Sequence, residues 1–175
     1  MEQLEIQVPY SFIHERTRLS WAEVQYGITE RILRPQDVLE VAKDELEQEE
    51  NNQLILQLAS SSRDEPVLER VTQLAAAEPR QDLRAIQRKW AFLVLAWVLE
   101  HRDRYSDPLD IAEKVYADLD YPDEVAPFIR YMPSDELDLG SKELNEQRLF
   151  QKWADYVKAE ATVSGVLRKL YLKKK

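Results

Sequence analysis

The chain has 175 residues, of which 33 are acidic and 24 are basic, so its net charge at pH 7 is -9. It has no cysteine and only two histidines, which excludes a disulfide framework, a thiolate zinc site, a cysteine nucleophile and a histidine-rich metal centre. Apolar residues make up 44% and charged residues 33%, which is typical of a globular protein and not of a disordered or membrane-spanning one.

The N-terminus carries no targeting signal in its sequence pattern. The opening MEQLEIQVPY contains two glutamates, and no lysine or arginine precedes Arg16, whereas a secretory signal requires a positive segment followed by an apolar one. The longest apolar run, WAFLVLAWVL from Trp90 to Leu99, is too short to span a bilayer. We therefore expect a cytoplasmic protein that does not contact a membrane.

Helices are predicted along most of the chain. Only three glycines are present, although sheet proteins commonly need glycine at hairpin turns. The first predicted helix opens at Ser20, where Ser20 and Glu23 form the pattern of a capping box. Apolar residues at helical spacing predict further helices over 35–49, 54–58, 67–74, 82–102, 109–119 and 122–129, and a long helix from Leu144 onward.

The helix over 82–102 is apolar nearly all round in its second half, so we expect it to be the central helix that the others surround. Trp90 and Trp97 lie on it, while Trp21 and Trp153 lie on amphipathic faces elsewhere. All four are expected to be structural core residues. The fold class predicted is all-α, a single compact domain over 1–175 with about seven to nine helices and a basic helical extension over 158–175.

Charge is unevenly distributed along the chain. The segment 35–50 has seven acidic residues and one lysine, and the segment 103–138 has eleven acidic residues and three basic ones. A solvated helix face is the common explanation for such runs. They can also attract a basic protein partner and accelerate association, and they disfavour nucleic acid as a ligand because phosphates would be repelled.

Sequence motifs for catalysis are absent. Three isolated glycines cannot supply a phosphate-binding loop, no HExxH pattern occurs, and the carboxylates of Asp118, Asp120 and Asp123 do not have the spacing of an EF-hand. We predict no catalytic residues, no metal site and no cofactor, and therefore a protein that is not an enzyme.

The stretch from Tyr116 to Val125 alternates aromatic residues with carboxylates, and Phe128 to Pro133 follows at once. It has two compatible explanations. In one, exposed tyrosines anchor a protein interface and the carboxylates orient the partner. In the other, the stretch is a structural corner in which Arg130 pairs with one of the aspartates. The first explanation assigns binding to Asp118, Asp120, Tyr121, Asp123, Glu124 and Tyr131, with the acidic run containing Glu47, Glu49 and Glu50 as second choice.

The sequence resembles a family of bacterial domains that is assigned, largely from gene neighbourhood, to the immunity proteins of polymorphic toxin systems. The resemblance covers residues 9–157. It depends on Leu19-Ser20-Trp21, on Lys89-Trp90, on YADLDYP from Tyr116 to Pro122, and on FIRYMP from Phe128 to Pro133. It implies a cytoplasmic protein that binds a cognate toxin domain, for example a nuclease with a basic cleft, and blocks it. The resemblance provides no catalytic residues.

Three other functions stay open at this point. The chain could be a helical adaptor for another protein, a nucleic-acid-binding regulator that uses its basic C-terminal helix, or a metal-dependent hydrolase. The sequence also leaves open the activity of the toxin and the oligomeric state.

Overall fold

The computed structural model describes residues 6–48, 52–62 and 66–172, with backbone alone for 164–172. Within these ranges the chain forms eight α-helices, two 3₁₀ turns and no strand, which confirms the predicted all-α class and number of helices. The helices are α1 (Tyr10–His14), α2 (Trp21–Thr29), α3 (Pro35–Gln48), α4 (Gln53–Ala59), α5 (Val67–Ala77), α6 (Leu83–Glu100), α7 (Pro108–Asp118) and α8 (Lys142–Leu172).

The described residues form two compact units, 6–86 and 87–172, and the boundary between them falls within α6. In the unit 6–86, α2 packs against α5 and α3 packs against α4. Helices α1 and α5 also contact α3. These contacts bury the apolar faces that the helical spacing predicted, and Val24, Val38 and Leu58 are completely buried.

The N-terminus of α2 shows how local sequence and long-range contacts combine. The Ser20 hydroxyl accepts the Glu23 N–H at 3.2 Å and the Glu23 carboxylate accepts the Ser20 N–H at 2.8 Å, so the predicted capping box is confirmed. The carboxylate of Glu78 accepts the N–H groups of Trp21 and Ala22 at 2.9 and 3.2 Å. The first amides of the helix, which have no partner within the helix, are therefore satisfied.

In the unit 87–172, the middle of α6 is buried on all sides. Every residue from Trp90 to Ala96 is buried, and seven consecutive residues cover the full circumference of a helix with 3.6 residues per turn. The helix ends at Glu100 and a 3₁₀ turn, Arg102–Arg104, follows it. The predicted helix over 82–102 is therefore confirmed apart from its last residues.

Three of the four tryptophans are buried as predicted: Trp21, Trp90 and Trp153. The Trp153 ring stacks between the rings of Phe128 and Phe150, at centroid distances of 5.5 and 5.9 Å. Trp97 is only half-buried, so its placement in the core was wrong. Its ring stacks on the imidazole of His101 with 3.7 Å between centroids, because residues four apart share one face of a helix.

One predicted helical segment differs in the structure, and a second is helical as predicted as far as the structure describes it. The segment 122–129 forms a turn and a 3₁₀ turn, Ala126–Phe128, where an α-helix was predicted. Pro127 explains the difference, because an interior proline has no N–H to donate and its ring clashes with the carbonyl four residues earlier. The expected C-terminal extension over 158–175 continues α8 without a break as far as Leu172, and its last three residues lie outside the described residues.

No helix in the described part of the chain has the combination of length and apolar character that crossing a bilayer requires.

Candidate protein-binding site

Helix α7 leads into the stretch where tyrosines and carboxylates alternate. It begins at Pro108, and the Asp107 carboxylate accepts the Asp110 N–H at 3.2 Å, as an N-cap does. At its other end the Tyr121 N–H donates to the Tyr116 carbonyl at 2.8 Å and the Asp120 N–H donates to the Ala117 carbonyl at 3.3 Å. These two bonds form a Schellman motif, which reverses the chain tightly after a helix.

The residues that form this turn are unusual for it. Asp120 and Tyr121 have φ angles of 60° and 57°, in the left-handed region where glycine is the common residue. A non-glycine residue there costs about 1 kcal/mol or more, and such strain is often found at ligand-binding sites. The side chains of Asp120 and Tyr121 are both exposed. The sequence thus has a carboxylate at position 120 and a phenol at position 121, where glycine would be less strained.

Three tyrosines pack together beside this turn. Tyr116 is buried, and its ring contacts the ring of Tyr121 edge-on at 5.2 Å and the ring of Tyr131 at 6.3 Å between centroids. Tyr121 and Tyr131 are nevertheless 56% and 57% exposed. One buried ring therefore holds two exposed rings in fixed positions, which limits the side-chain entropy they would lose in an interface.

The pKa of the Tyr131 hydroxyl is raised above its ordinary value. Desolvation is the largest cause, followed by the electrostatic effects of Tyr116, Tyr121 and Glu113. The phenol of Tyr131 is therefore protonated at neutral pH and can donate a hydrogen bond to a partner.

The carboxylates at this turn fall into two groups. Asp118, Asp120 and Asp123 are exposed, and the carboxylates of Asp118 and Asp123 have no ion pair or hydrogen bond within the described part of the chain. Glu124 differs, because its Oε1 lies 3.4 Å from Nη1 of Arg88. Arg88 also pairs with Glu160 at 2.7 Å. Asp118 and Asp123, and not Glu124, therefore give the surface its uncompensated negative charge.

Arg130 does not pair with any of these three aspartates, so its predicted partner was wrong. Its Nε lies 2.6 Å from Oε1 of Glu113 and its Nη1 lies 3.0 Å from Oδ2 of Asp107. The hydrogen bond to Glu113 is the main cause of the raised pKa of Arg130. Arg130 reaches these acids because its segment runs back along α7, where the Tyr131 ring also contacts Tyr116. The stretch is therefore a structural corner that Arg130 ties together through Asp107 and Glu113, whereas its role as a protein interface stays a prediction.

We call the set Asp118, Asp120, Tyr121, Asp123 and Tyr131 the tyrosine–carboxylate corner. A bacterial family described as "uncharacterized protein conserved in bacteria (DUF2247)" matches residues 10–161. The chain belongs to this family. The matched range contains the whole corner and α8 as far as Ala161. No curated protein and no solved structure matches the chain.

The second acidic run of this DUF2247 chain lies in the unit 6–86. Glu47 is exposed near the end of α3, whereas Glu49 and Glu50 lie outside the described residues. Two neighbouring acids are already occupied: the Asp44 carboxylate accepts the Tyr10 hydroxyl at 2.7 Å, and the Glu45 carboxylate accepts Nε of Arg18 at 2.7 Å. This run therefore offers less uncompensated charge than its composition implies.

A histidine, a tyrosine and a carboxylate come together in this unit. His14 Nδ1 lies 3.1 Å from Oδ2 of Asp44, which also accepts the Tyr10 hydroxyl. Burial and the Asp44 carboxylate raise the pKa of Tyr10 far above its ordinary value, so the phenol is a hydrogen-bond donor and not a nucleophile. These bonds join α1 to α3. Within the described ranges no three histidine or carboxylate side chains are placed to hold a metal ion.

Sequence reasoning missed two supports of the corner in this DUF2247 chain. Tyr116 belongs to the stretch that the sequence singled out but was not predicted as a site residue, and yet it holds both exposed tyrosines. The five-residue spacing from Tyr116 to Tyr121 across a helix end was the available signal, because a Schellman motif brings those two positions into contact. Arg88, the partner of Glu124, had no local signal.

Proposed function

We propose that this chain is an immunity protein of the bacterial cytoplasm, which binds a cognate antibacterial toxin domain and blocks its active site or its substrate-binding face. One observation carries the proposal: two half-exposed tyrosines, Tyr121 and Tyr131, are braced on a buried tyrosine. Beside them, the carboxylates of Asp118 and Asp123 have no ion pair within the residues that the structure describes. Fixed, exposed aromatic side chains are the typical anchors of protein interfaces.

The backbone at the corner also supports a binding role. A glycine at Asp120 would end α7 with less strain, yet an aspartate occupies this left-handed position. Local strain of this kind clusters at ligand-binding sites, so it agrees with a use of the Asp120 side chain other than stability. The carboxylate of Asp120 is the group that glycine would remove.

The charge of the corner indicates the chemistry of the partner. Asp118, Asp120 and Asp123 present three carboxylates within six positions of the chain, so a basic surface is complementary to them. A nuclease domain has such a surface where it holds the phosphates of its substrate. Attraction between unlike charges raises the association rate toward roughly 10⁸ M⁻¹s⁻¹ at low salt.

A protection assay in cells tests the proposal. The product of the gene next to that of this chain, which the proposal takes as the toxin, is expressed together with the chain, and growth is measured. Charge reversal of two carboxylates, Asp118→Lys with Asp123→Lys, is expected to abolish protection. The matched control is Glu30→Lys with Glu69→Lys, which changes the net charge equally at exposed positions of the unit 6–86 and is expected to protect fully.

The possible failures of this assay have different meanings. A wild-type chain that does not protect the cells, or a folded Asp118/Asp123 variant that protects them fully, would contradict the proposal. A wild-type chain that binds the toxin domain and leaves its activity intact would favour the adaptor function instead. Circular dichroism and thermal unfolding establish that each variant is folded.

A further inference from the structure

The loop 134–140, between the corner and α8, carries the most exposed large apolar side chain in the described part of the chain. Leu137 is 85% exposed, whereas the other exposed large apolar residues range from 38% to 57%. Leu139 in the same loop and Leu144 in the first turns of α8 are also among the exposed residues. Single exposed leucines are common, whereas three exposed leucines in one short segment are a candidate contact for a partner.

Polar contacts with α8 fix the backbone of this loop. Arg148 Nη1 donates to the Leu137 carbonyl at 2.8 Å, and Arg148 Nε lies 2.8 Å from a carboxylate oxygen of Glu136, which Lys152 also contacts. The side-chain carbonyl of Asn145 accepts the Leu139 N–H at 3.1 Å. The loop is therefore held on both sides of Leu137.

The sequence at the start of α8 explains these contacts. Asn145, Arg148 and Lys152 lie three or four residues apart, so they share one face of the helix. Before them, Gly140 has a φ of 88°, a conformation that favours glycine, and its N–H donates to the Asp138 carboxylate at 2.8 Å. The chain is thus turned into α8 at Gly140, and the loop is laid against that face.

The polar contacts of the loop face α8, whereas the side chain of Leu137 faces the solvent. In a loop that binds nothing, we would expect the leucine to be buried and the polar groups to face the solvent, because an exposed leucine forgoes the free energy that its burial would give. A pre-ordered loop also loses little conformational entropy when a partner covers it. Leu137 therefore has the properties of an anchor that is prepared before binding.

Charge around the anchor selects the partner. The carboxylate of Asp135 has no ion pair or hydrogen bond within the described part of the chain, and the carboxylate of Asp138 is held by Asn145 and the Gly140 N–H and not by a paired cation. A complementary surface is an apolar pocket bordered by basic side chains. We infer that the loop 134–140 is a second contact with the toxin domain, in which Leu137 enters such a pocket; this inference rests on the proposed function.

Titration calorimetry with the full chain and the catalytically inactivated neighbouring toxin domain tests the inference. Leu137→Ser is expected to weaken binding roughly tenfold to a hundredfold, the equivalent of burying a leucine, with unchanged thermal unfolding. The control is Leu83→Ser in α6, which removes a leucine that is 55% exposed and is expected to leave the affinity unchanged. Equal binding by wild type and Leu137→Ser would overturn the inference and leave the proposed function standing. Absence of wild-type binding would overturn the proposed function, and the inference with it.

A second variant tests the pre-ordering separately. Arg148→Met keeps Leu137 but removes the bonds to the Leu137 carbonyl and to Glu136. It is expected to weaken binding with a less favourable binding entropy, and to speed proteolytic cleavage within 134–140. Wild-type affinity and wild-type cleavage in this variant would overturn the anchor role. Sedimentation tests whether a second copy of the chain covers the loop instead. A wild-type dimer that the Leu137→Ser substitution dissociates would assign the leucines to a dimer interface and overturn the inference.

Discussion

The backbone N–H of Tyr121 donates to the carbonyl of Tyr116 at 2.8 Å, and the two rings meet edge-on at 5.2 Å. A single helix end thus fixes both the direction of the chain and the position of an exposed aromatic side chain. Between these two residues lies Asp120, whose left-handed backbone conformation makes this turn possible.

Asp120→Gly is expected to stabilise the chain by about 0.5–1 kcal/mol, because glycine relieves the left-handed strain while adding some entropy to the unfolded state. Urea unfolding measures the change. Arg31→Gly is the matched control, since Arg31 has a φ of 58° in the other unit, and it should stabilise by a similar amount. If the corner binds a basic partner, Asp120→Gly also weakens binding, whereas Arg31→Gly does not. Destabilisation by Asp120→Gly would contradict this account of the turn.

Arg130→Met is expected to lower the free energy of unfolding by about 0.5–1 kcal/mol, because Asp107 and Glu113 lose a shared guanidinium in a site that solvent partly screens. Chemical unfolding at pH 7 tests the value. Arg80→Met, at an exposed position of the unit 6–86, serves as the control and should have little effect. Equal stability of the two variants would show that the Arg130 network does not tie the corner to α7.

The contribution of Asp107 to this network depends on pH. Burial raises the pKa of Asp107. The hydrogen bond from the Asp110 N–H and the Arg130 guanidinium lower it by more than burial raises it, so the pKa lies below the ordinary value of 3.8. A carboxyl group with a lowered folded pKa stabilises the fold at pH values above its unfolded pKa and loses that effect as pH falls through the folded pKa. The stability difference between wild type and Arg130→Met should therefore be constant near neutral pH and shrink below pH 3.8. A difference that grows on acidification would have the wrong sign.

Glu78→Gln tests the long-range cap of α2. The variant keeps the side-chain size but removes the negative charge from the N-terminus of the helix, so we expect a loss of roughly 1 kcal/mol in unfolding free energy. Thermal unfolding measures it, and Gln81→Glu provides a comparison in which a charge is added near the same helix end, since Gln81 contacts the Ser20 hydroxyl at 3.1 Å. Unchanged stability of Glu78→Gln would mean that the capping box alone holds this end.

Local patterns predicted most of the fold. Apolar spacing and the capping box of Ser20 depend on interactions within a few positions of the chain, and the structure has the helices where these signals occur. Pro127 was the local signal that was overlooked, and it explains why 126–128 is a 3₁₀ turn.

Contacts between distant positions could not be predicted in the same way. Glu78 caps a helix that begins 57 positions earlier in the chain. Arg130 pairs with Asp107 and Glu113, although other aspartates lie nearer to it in the sequence. The composition of the corner indicated which residues to consider, but only the path of the chain determines which carboxylates are neutralised. The fixed backbone around Leu137 could not be predicted for the same reason, because it depends on Arg148 in α8.

The most direct test of the central claim is a parallel titration of the inactivated neighbouring toxin domain into the wild-type chain and into the Asp118→Lys/Asp123→Lys variant, at low and at high salt. We predict saturable binding by the wild type that weakens as salt rises, and binding by the variant that is at least about tenfold weaker and depends less on salt. A wild-type chain that does not bind, or a folded variant with wild-type affinity at both salt concentrations, would contradict the account.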